Sequence, residues 1–239
     1  MPYQAKFIRH EMKYMITLEQ KERLLKEMEP YMSLDKYGRS TIRNVYFDTD
    51  SYRLIRHSIE KPAYKEKLRL RSYCQAEANC PIFVELKKKY QDVVYKRRIS
   101  MPEISAMDWL GGRAENMDPC QIAREIAYFR SYYRSLHPKM FLSYEREAYY
   151  CREGGDFRVT FDDLILCRQT ELSLGAELGG IPLLEADTVL MELKTAGGIP
   201  LWMTHILSRE KIYKTSFSKY GTAYERLILP NFKGGCLYA

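Results

Sequence analysis

Cations recur at every second residue of the segment AYKEKLRLRSY (63–73), where Lys65, Lys67, Arg69 and Arg71 share a parity and Leu68 and Leu70 take the other. Successive side chains of a strand point to opposite faces, so this spacing describes a β-strand with one cationic and one apolar face. The pattern recurs. It puts Arg9, Glu11 and Lys13 on one face of residues 5–16, Glu85, Lys87 and Lys89 together in 81–90, and Tyr144 with Arg146 in 138–150. In 156–168, Arg158, Thr160 and Asp162 lie opposite Phe157, Val159 and Phe161; in 187–195, Glu192 and Lys194 lie opposite Met191 and Leu193. With 40–48 and 93–100, eight strands are expected, and Gln91 with Asp92 has the length of a tight hairpin turn.

Alternation ordinarily means a sheet with one solvated face. Solvated faces usually mix their signs, whereas this one carries mainly cations, and like charges on neighbouring strands repel unless water or an anion lies between them. If such a sheet closes with its charged face inward, the bore is a channel for a polyanion and helices cover the apolar outside. Helices are expected at intervals. Thr17 and Gln20 form a capping box that starts one ending near Pro30; others are expected over 119–136, from about Pro200, and over 218–228. No low-complexity tract or linker interrupts the chain. The expected fold is α+β: a closed eight-stranded antiparallel β-barrel with packed helices, one domain over residues 1–239.

Lys and Arg number 38 against 31 Asp and Glu, a formal charge of +7 that suits an anionic partner: nucleic acid, acidic lipid or a phosphate compound. No run approaches the ~20 apolar residues of a membrane span. The N-terminal segment has no apolar core of a secretory signal, and the six cysteines form no CxxC pair, so a cytoplasmic protein with reduced thiols is expected. Neither a G-x-x-x-x-G-K-[ST] loop nor a G-x-G-x-x-G turn is present, so a nucleotide would bind without the usual backbone cradle. The four histidines lack zinc spacing, and there is no G-x-S-x-G elbow. The 20 tyrosines permit base stacking without selecting it, and nucleic acid is not the expected partner.

The fragments EMKY, YFDT, KLRLRSY, FVELKKKY, YKRR, YERE, FRVTFDD, MELK and FSKYG follow one another over nearly the whole chain. In that order they resemble the polyphosphate polymerase domain of the vacuolar transporter chaperone (VTC) type, a branch of the triphosphate tunnel metalloenzymes related to the CYTH proteins. The resemblance implies an eight-stranded antiparallel tunnel in which the γ-phosphoryl group of ATP passes to a growing polyphosphate chain, with Mn²⁺ or Mg²⁺. Carried over by motif, the tunnel cations are Lys13, Arg69, Arg71, Lys87, Lys96 or Arg97, Arg146 with Tyr144, Arg158, Lys194, and Ser218 with Lys219; Glu192 matches the metal-binding glutamate. Lys13, Arg69, Arg71, Lys87, Arg146, Arg158 and Lys194 are expected to converge on one cavity.

The smaller tunnel enzymes begin with an E-x-E-x-K strand, and here Arg9 replaces the first carboxylate, which puts more of the metal on Glu192 and on the phosphates themselves. Glu11 and Glu85 are candidates for orienting the basic side chains or positioning a water, against simple ion pairs within the bore. ATP and inorganic polyphosphate are the expected substrates. The chain contains no membrane segment, so coupling to transport would require a separate membrane partner. A triphosphatase of the same fold, acting on inorganic or nucleoside triphosphates, and a non-catalytic polyanion-binding module stay open as alternatives.

Overall fold

The computed structural model describes residues 10–77, 80–91, 93–115 and 120–232. Residues 5–9 with Arg9, Asp92 of the hairpin, Pro119 and Cys236 lie outside them. Contacts divide the chain into two compact units, one drawn from Met1–Thr41, Tyr144–Ile165 and Pro182–Phe217, the other from Ile42–Ser143, Leu166–Ile181 and Ser218–Ala239.

The first unit opens with β1 (His10–Thr17), which runs into α1 (Leu18–Met28). The capping box forms as expected, Gln20 N–H donating to Thr17 Oγ1 at 3.1 Å and Thr17 N–H to Gln20 Oε1 at 3.0 Å. After β2 (Met32–Leu34), the unit takes in parts of β7 (His137–Cys151) and β8 (Arg158–Arg168), then β10 (Thr188–Thr195), α5 (Leu201–Arg209) and β11 (Lys214–Thr215). Its strands pair in the order β11-β1-β10-β8-β7, β2 lying on β7. Alternate residues Tyr14 and Ile16, Val159 and Phe161, and Val189, Met191 and Leu193 pack with Leu24, Met203, Ile206 and Leu207 of the helices.

The second unit holds most of β3 (Ser40–Asp48), then α2 (Arg53–Ile59), β4 (Tyr64–Ser72), β5 (Pro81–Tyr90), β6 (Val93–Pro102), α3 (Glu103–Leu110), α4 (Gln121–Tyr133), and, near the end, α6 (Lys219–Leu227) and α7 (Leu229–Phe232). Its strands run β7-β3-β4-β5-β6. Gln91, at φ 43, makes the β5–β6 turn. Leu68, Leu70, Val84 and Leu86 are fully buried against Trp109 and Leu110 of α3 and Ile126 and Phe129 of α4. Each such side chain contributes about 1.5–3 kcal/mol on burial, so the apolar face is what commits these strands to the helices. A segment following β8, residues 169–180, is strapped down by its carbonyls: Arg43 donates to those of Leu174 (3.1 Å) and Ala176, Arg168 to those of Thr170 (3.0 Å), Glu171 (3.2 Å) and Gly179 (3.0 Å), and Gln75 to that of Gly175 (2.8 Å).

The eight expected strands are present in an antiparallel sheet with packed helices. Closure is corrected. Among the described residues the sheet has eleven strands, the additional ones being the two- and three-residue β2, β9 (Ile181–Pro182) and β11, and its pairing path ends at β11 and at β6. Period-two alternation assigns a side chain to a face and carries no information about which edges meet, so a barrel does not follow from it.

Candidate functional site

The charged side chains form two sets, one in each unit. In the first unit, residues directly opposite across strands share a face with Cβ atoms about 5 Å apart. The register sets Lys13 opposite Glu192 and Glu192 opposite Thr160; in the neighbouring row, Glu11 faces Lys194 and Lys194 faces Arg158. Glu192, 5% exposed, is the hub. Lys194 Nζ donates to its Oε2 at 2.9 Å, Arg146 Nη2 lies 3.6 Å from the same oxygen, and Lys13 Nζ lies 3.7 Å from Oε1. Lys13 Nζ is also 3.5 Å from Glu11 and donates to the Phe217 carbonyl at 2.8 Å.

Arg146 forks onto the buried Asp162 at 2.6 and 2.7 Å and packs over the Tyr144 ring, 5.2 Å from its centroid. Burial works against its charge, but Asp162, Tyr144 and Glu192 raise its pKa well above the ordinary value, so it stays cationic. The Arg158 guanidinium lies over the Tyr150 ring at 4.7 Å. Arg158 Nε and Thr160 Oγ1 are buried and have no hydrogen-bond partner among the described residues. Buried polar atoms in an ordinary interior are satisfied, and these two stand in register with the Lys194 and Glu192 pair.

The second unit is more one-sided. Lys67 stands opposite Lys87 and Lys87 opposite Lys96, a row of lysines across three adjacent strands, with Lys65 opposite Lys89 beside it. Like charges directly opposite on neighbouring strands repel unless an opposite charge or water lies between them. The carboxylate set among them is Glu85, 1% exposed: Arg69 donates to its Oε2 through Nε (2.9 Å) and Nη2 (2.8 Å), Lys96 Nζ lies 2.6 Å from Oε1, and Arg71 Nε lies 3.8 Å from Oε2. Burial pushes this carboxyl up, yet Arg69, Arg71 and Lys96 together hold it below the usual carboxylate range. Burial of its charged end pushes Lys96 down to about 8; Glu85 opposes this, and Arg69 and Arg71 add to it, although 42% of the lysine side chain is exposed. Lys67 Nζ donates to Ser218 Oγ at 2.9 Å, and the same oxygen caps α6 by accepting from Gly221 N–H at 3.1 Å, with Lys219 the first residue of that helix.

Of Lys96 and Arg97, the two candidates taken from YKRR, only Lys96 joins this set. Arg97 stands opposite Leu86 on the other face and pairs with Glu125 of α4 at 2.9 Å. Two neutral residues outside the sequence reading join it: Asn44 Oδ1 accepts from Arg71 Nε at 2.9 Å, and Tyr46 OH accepts from Arg69 Nη1 at 2.9 Å. The alternation of NVYFD places Asn44, Tyr46 and Asp48 opposite the buried Val45 and Phe47, a signal available in the sequence. Among the described residues, no group of three or more His, Cys, Asp or Glu is arranged as a metal cage. Glu11 and Glu192, both within 4 Å of Lys13 Nζ, remain as a pair of hard oxygen donors.

The family model of the VTC domain matches residues 8–228. No curated protein matches the chain in sequence. Among solved structures, a candidate adenylate cyclase of Bacillus halodurans aligns with a TM-score of 0.56 and 17% identity, covering 94% of this chain and 100% of its own. A candidate adenylyl cyclase of Hippeastrum, described as having a dominant triphosphatase activity, aligns with a TM-score of 0.53 and 16% identity, covering 92% of this chain and 97% of its own. At these identities the likeness is one of fold.

Proposed function

The chain belongs to the VTC domain family, and we propose that it is a phosphotransferase that moves the γ-phosphoryl group of ATP onto inorganic polyphosphate. The observation that carries this reading is the row Lys67, Lys87 and Lys96, lysines in direct register on three neighbouring strands. Glu85 offsets the charge at the Lys96 end, and a chain of phosphates lying along the row would add attraction to each of its cations.

Phosphoryl transfer asks for in-line positioning and for neutralised oxygens more than for covalent chemistry from the protein. Arg69, Arg71, Arg146 and Arg158 supply fork-shaped donors that suit phosphate oxygens, and Lys13, Lys87, Lys96, Lys194 and Lys219 supply movable point charges. Tyr144 supports Arg146, and Ser218 supports Lys67. The unsatisfied Arg158 Nε and Thr160 Oγ1 are the kind of buried donors an anion satisfies. The acceptor is a phosphate oxygen at the chain end, already anionic at neutral pH, so no protein nucleophile is assigned. One or two carboxylates plus phosphate oxygens are an ordinary donor set for Mg²⁺ or Mn²⁺, which Glu192 with Glu11 fits; such an ion supplies charge neutralisation at the transferring phosphoryl.

The test is to incubate the purified chain with ATP and Mn²⁺ and resolve the phosphate products by length. Lengthening is expected. Phosphate release without lengthening would assign instead a triphosphatase, the activity described for the Hippeastrum fold neighbour. Retained binding with no turnover would leave a polyanion-binding module.

A further inference from the structure

The segment Asn44 to Asp48 sits beside the cations assigned to phosphate, Asn44 accepting from Arg71 and Tyr46 from Arg69. Tyr46 stands directly opposite Arg69 in the β3–β4 ladder, so backbone pairing fixes the phenol and the guanidinium on one face. The Tyr46 oxygen accepts from Arg69 Nη1 at 2.9 Å while Nε and Nη2 are taken by Glu85 at 2.9 and 2.8 Å. Two partners on different edges of a planar group fix its plane as well as its position.

Tyr46 is itself held. Its ring, in a residue 6% exposed, stacks on Tyr220 with centroids 4.6 Å apart and planes at 20°. Tyr220 OH donates to Asp48 Oδ2 at 3.1 Å. Asp48 is fully buried and accepts the N–H groups of Thr49 (2.8 Å), Leu54 (2.9 Å) and Ile55 (3.0 Å), so it cannot swing without uncapping α2. Burial pushes this carboxyl up against the pull of those donors and of Tyr220, so the contact with Tyr220 belongs to an apolar, tightly packed setting. Tyr220 is also the second residue of α6, whose cap Ser218 accepts from Lys67.

We propose that Tyr46 is a positioning residue of the phosphate site, fixing the plane of the Arg69 guanidinium through its phenol oxygen, with Tyr220 and Asp48 fixing Tyr46 in turn. The inference rests on the reading that this face binds phosphate. Tyr46→Phe keeps the ring stack and removes the oxygen. A residue that matters only for packing would show little change, or a change that is the same whatever stands at position 69.

The experiment is calorimetric titration of inorganic tripolyphosphate into the full chain as wild type, Tyr46→Phe, Arg69→Lys and the double variant. Tyr46→Phe is expected to weaken binding by about threefold to tenfold while lowering the melting temperature by no more than a few degrees. Lysine cannot present the fork, so in the Arg69→Lys background Tyr46→Phe is expected to change affinity by less than about twofold. Tyr220→Phe, which removes only the donor to Asp48, serves as a second variant; it is expected to weaken binding by a smaller factor and to lose that effect in the same background. Wild-type affinity in Tyr46→Phe, or an equal loss in both backgrounds, overturns the role of Tyr46 alone. Failure of the wild type to bind tripolyphosphate removes the phosphate reading together with this inference.

Discussion

Lys96 makes the phosphate reading quantitative. Its ammonium titrates near 8 because burial and the neighbouring Arg69 and Arg71 outweigh the pull of Glu85. A bound polyanion adds negative charge beside it and returns its pKa toward the ordinary 10.5. Between pH 7 and pH 9 the free protein goes from about nine-tenths to about one-tenth protonated at this site, and the bound form stays charged. Affinity should then fall by at most about tenfold across that window, about 1.4 kcal/mol. Solvent screening of a side chain 42% exposed reduces this, so about threefold to tenfold is expected. Tripolyphosphate binding should be measured at pH 7, 8 and 9 at constant ionic strength, with Lys96→Arg in parallel. A guanidinium does not titrate there, so the variant should lose this part of the pH dependence, and any titration of the ligand itself cancels in the comparison. Parallel curves for wild type and variant would show that Lys96 does not titrate in this window. The sign for stability runs the other way: between about 8 and 10.5 the unfolded chain binds a proton that the folded one has released, so Lys96 contributes increasing stability as pH rises through that range.

Three further outcomes are expected. Glu192→Gln should bind polyphosphate at least as well as wild type while turnover falls by about a hundredfold or more, as measured by steady-state kinetics; a variant with wild-type synthesis and metal dependence would overturn the metal role of Glu192. Glu85→Gln leaves Arg69, Arg71 and Lys96 without their carboxylate and should lower stability by about 3 kcal/mol, with a larger rise in melting temperature on adding tripolyphosphate than wild type shows. Because the folded pKa of Glu85 is depressed, its stabilisation should be complete above the ordinary value of 4.5 and lost as pH falls below it, a dependence absent in the Gln variant on acid denaturation. Tripolyphosphate at about 100 times its Kd should stabilise wild type by roughly 2.7 kcal/mol, visible as a thermal shift, and sulfate at equal ionic strength should do less; equal responses would point to a general salt effect.

The long strands were legible because alternation is written residue by residue: residues 40–48 and 81–90 coincide with β3 and β5. Helices α2 and α3 were not foreseen. The start of α2 is capped from Asp48, several residues upstream across a turn with Tyr52 at φ 57, and α3 begins at Glu103 directly after the strand, so neither shows a local capping box. The cations of the candidate site were readable as types and faces. Their grouping was not, since Glu85 with Arg69 and Lys96, or Glu192 with Lys13 and Arg146, depends on cross-strand register. YKRR shows the limit: Lys96 and Arg97 are adjacent in sequence, and the pleat sends them to opposite faces. Asn44 and Tyr46 share a face of β3 by alternation, but that strand carries no cation on this face to mark it as part of the charged set.

The strapped segment 169–180 offers a practical opening. Arg43, Arg168 and Gln75 grip it by carbonyl oxygens, which every amino acid possesses, so its attachment is indifferent to most of its side chains. The exceptions include Gln169, Ser173 and Glu177, whose side chains bond Tyr52, Glu103 and Gln75, Leu174, fully buried, Gly175, whose added Cβ would come within 2.7 Å of the Ala76 carbonyl, and Gly180, at φ +127 with the Cys167 carbonyl against such a Cβ. Thr170 and Leu178 are exposed and fall under none of these constraints. They are therefore suitable positions for a spectroscopic label or a short affinity sequence, giving a reporter on a loop whose course is set by guanidinium and amide donors rather than by the residues being replaced.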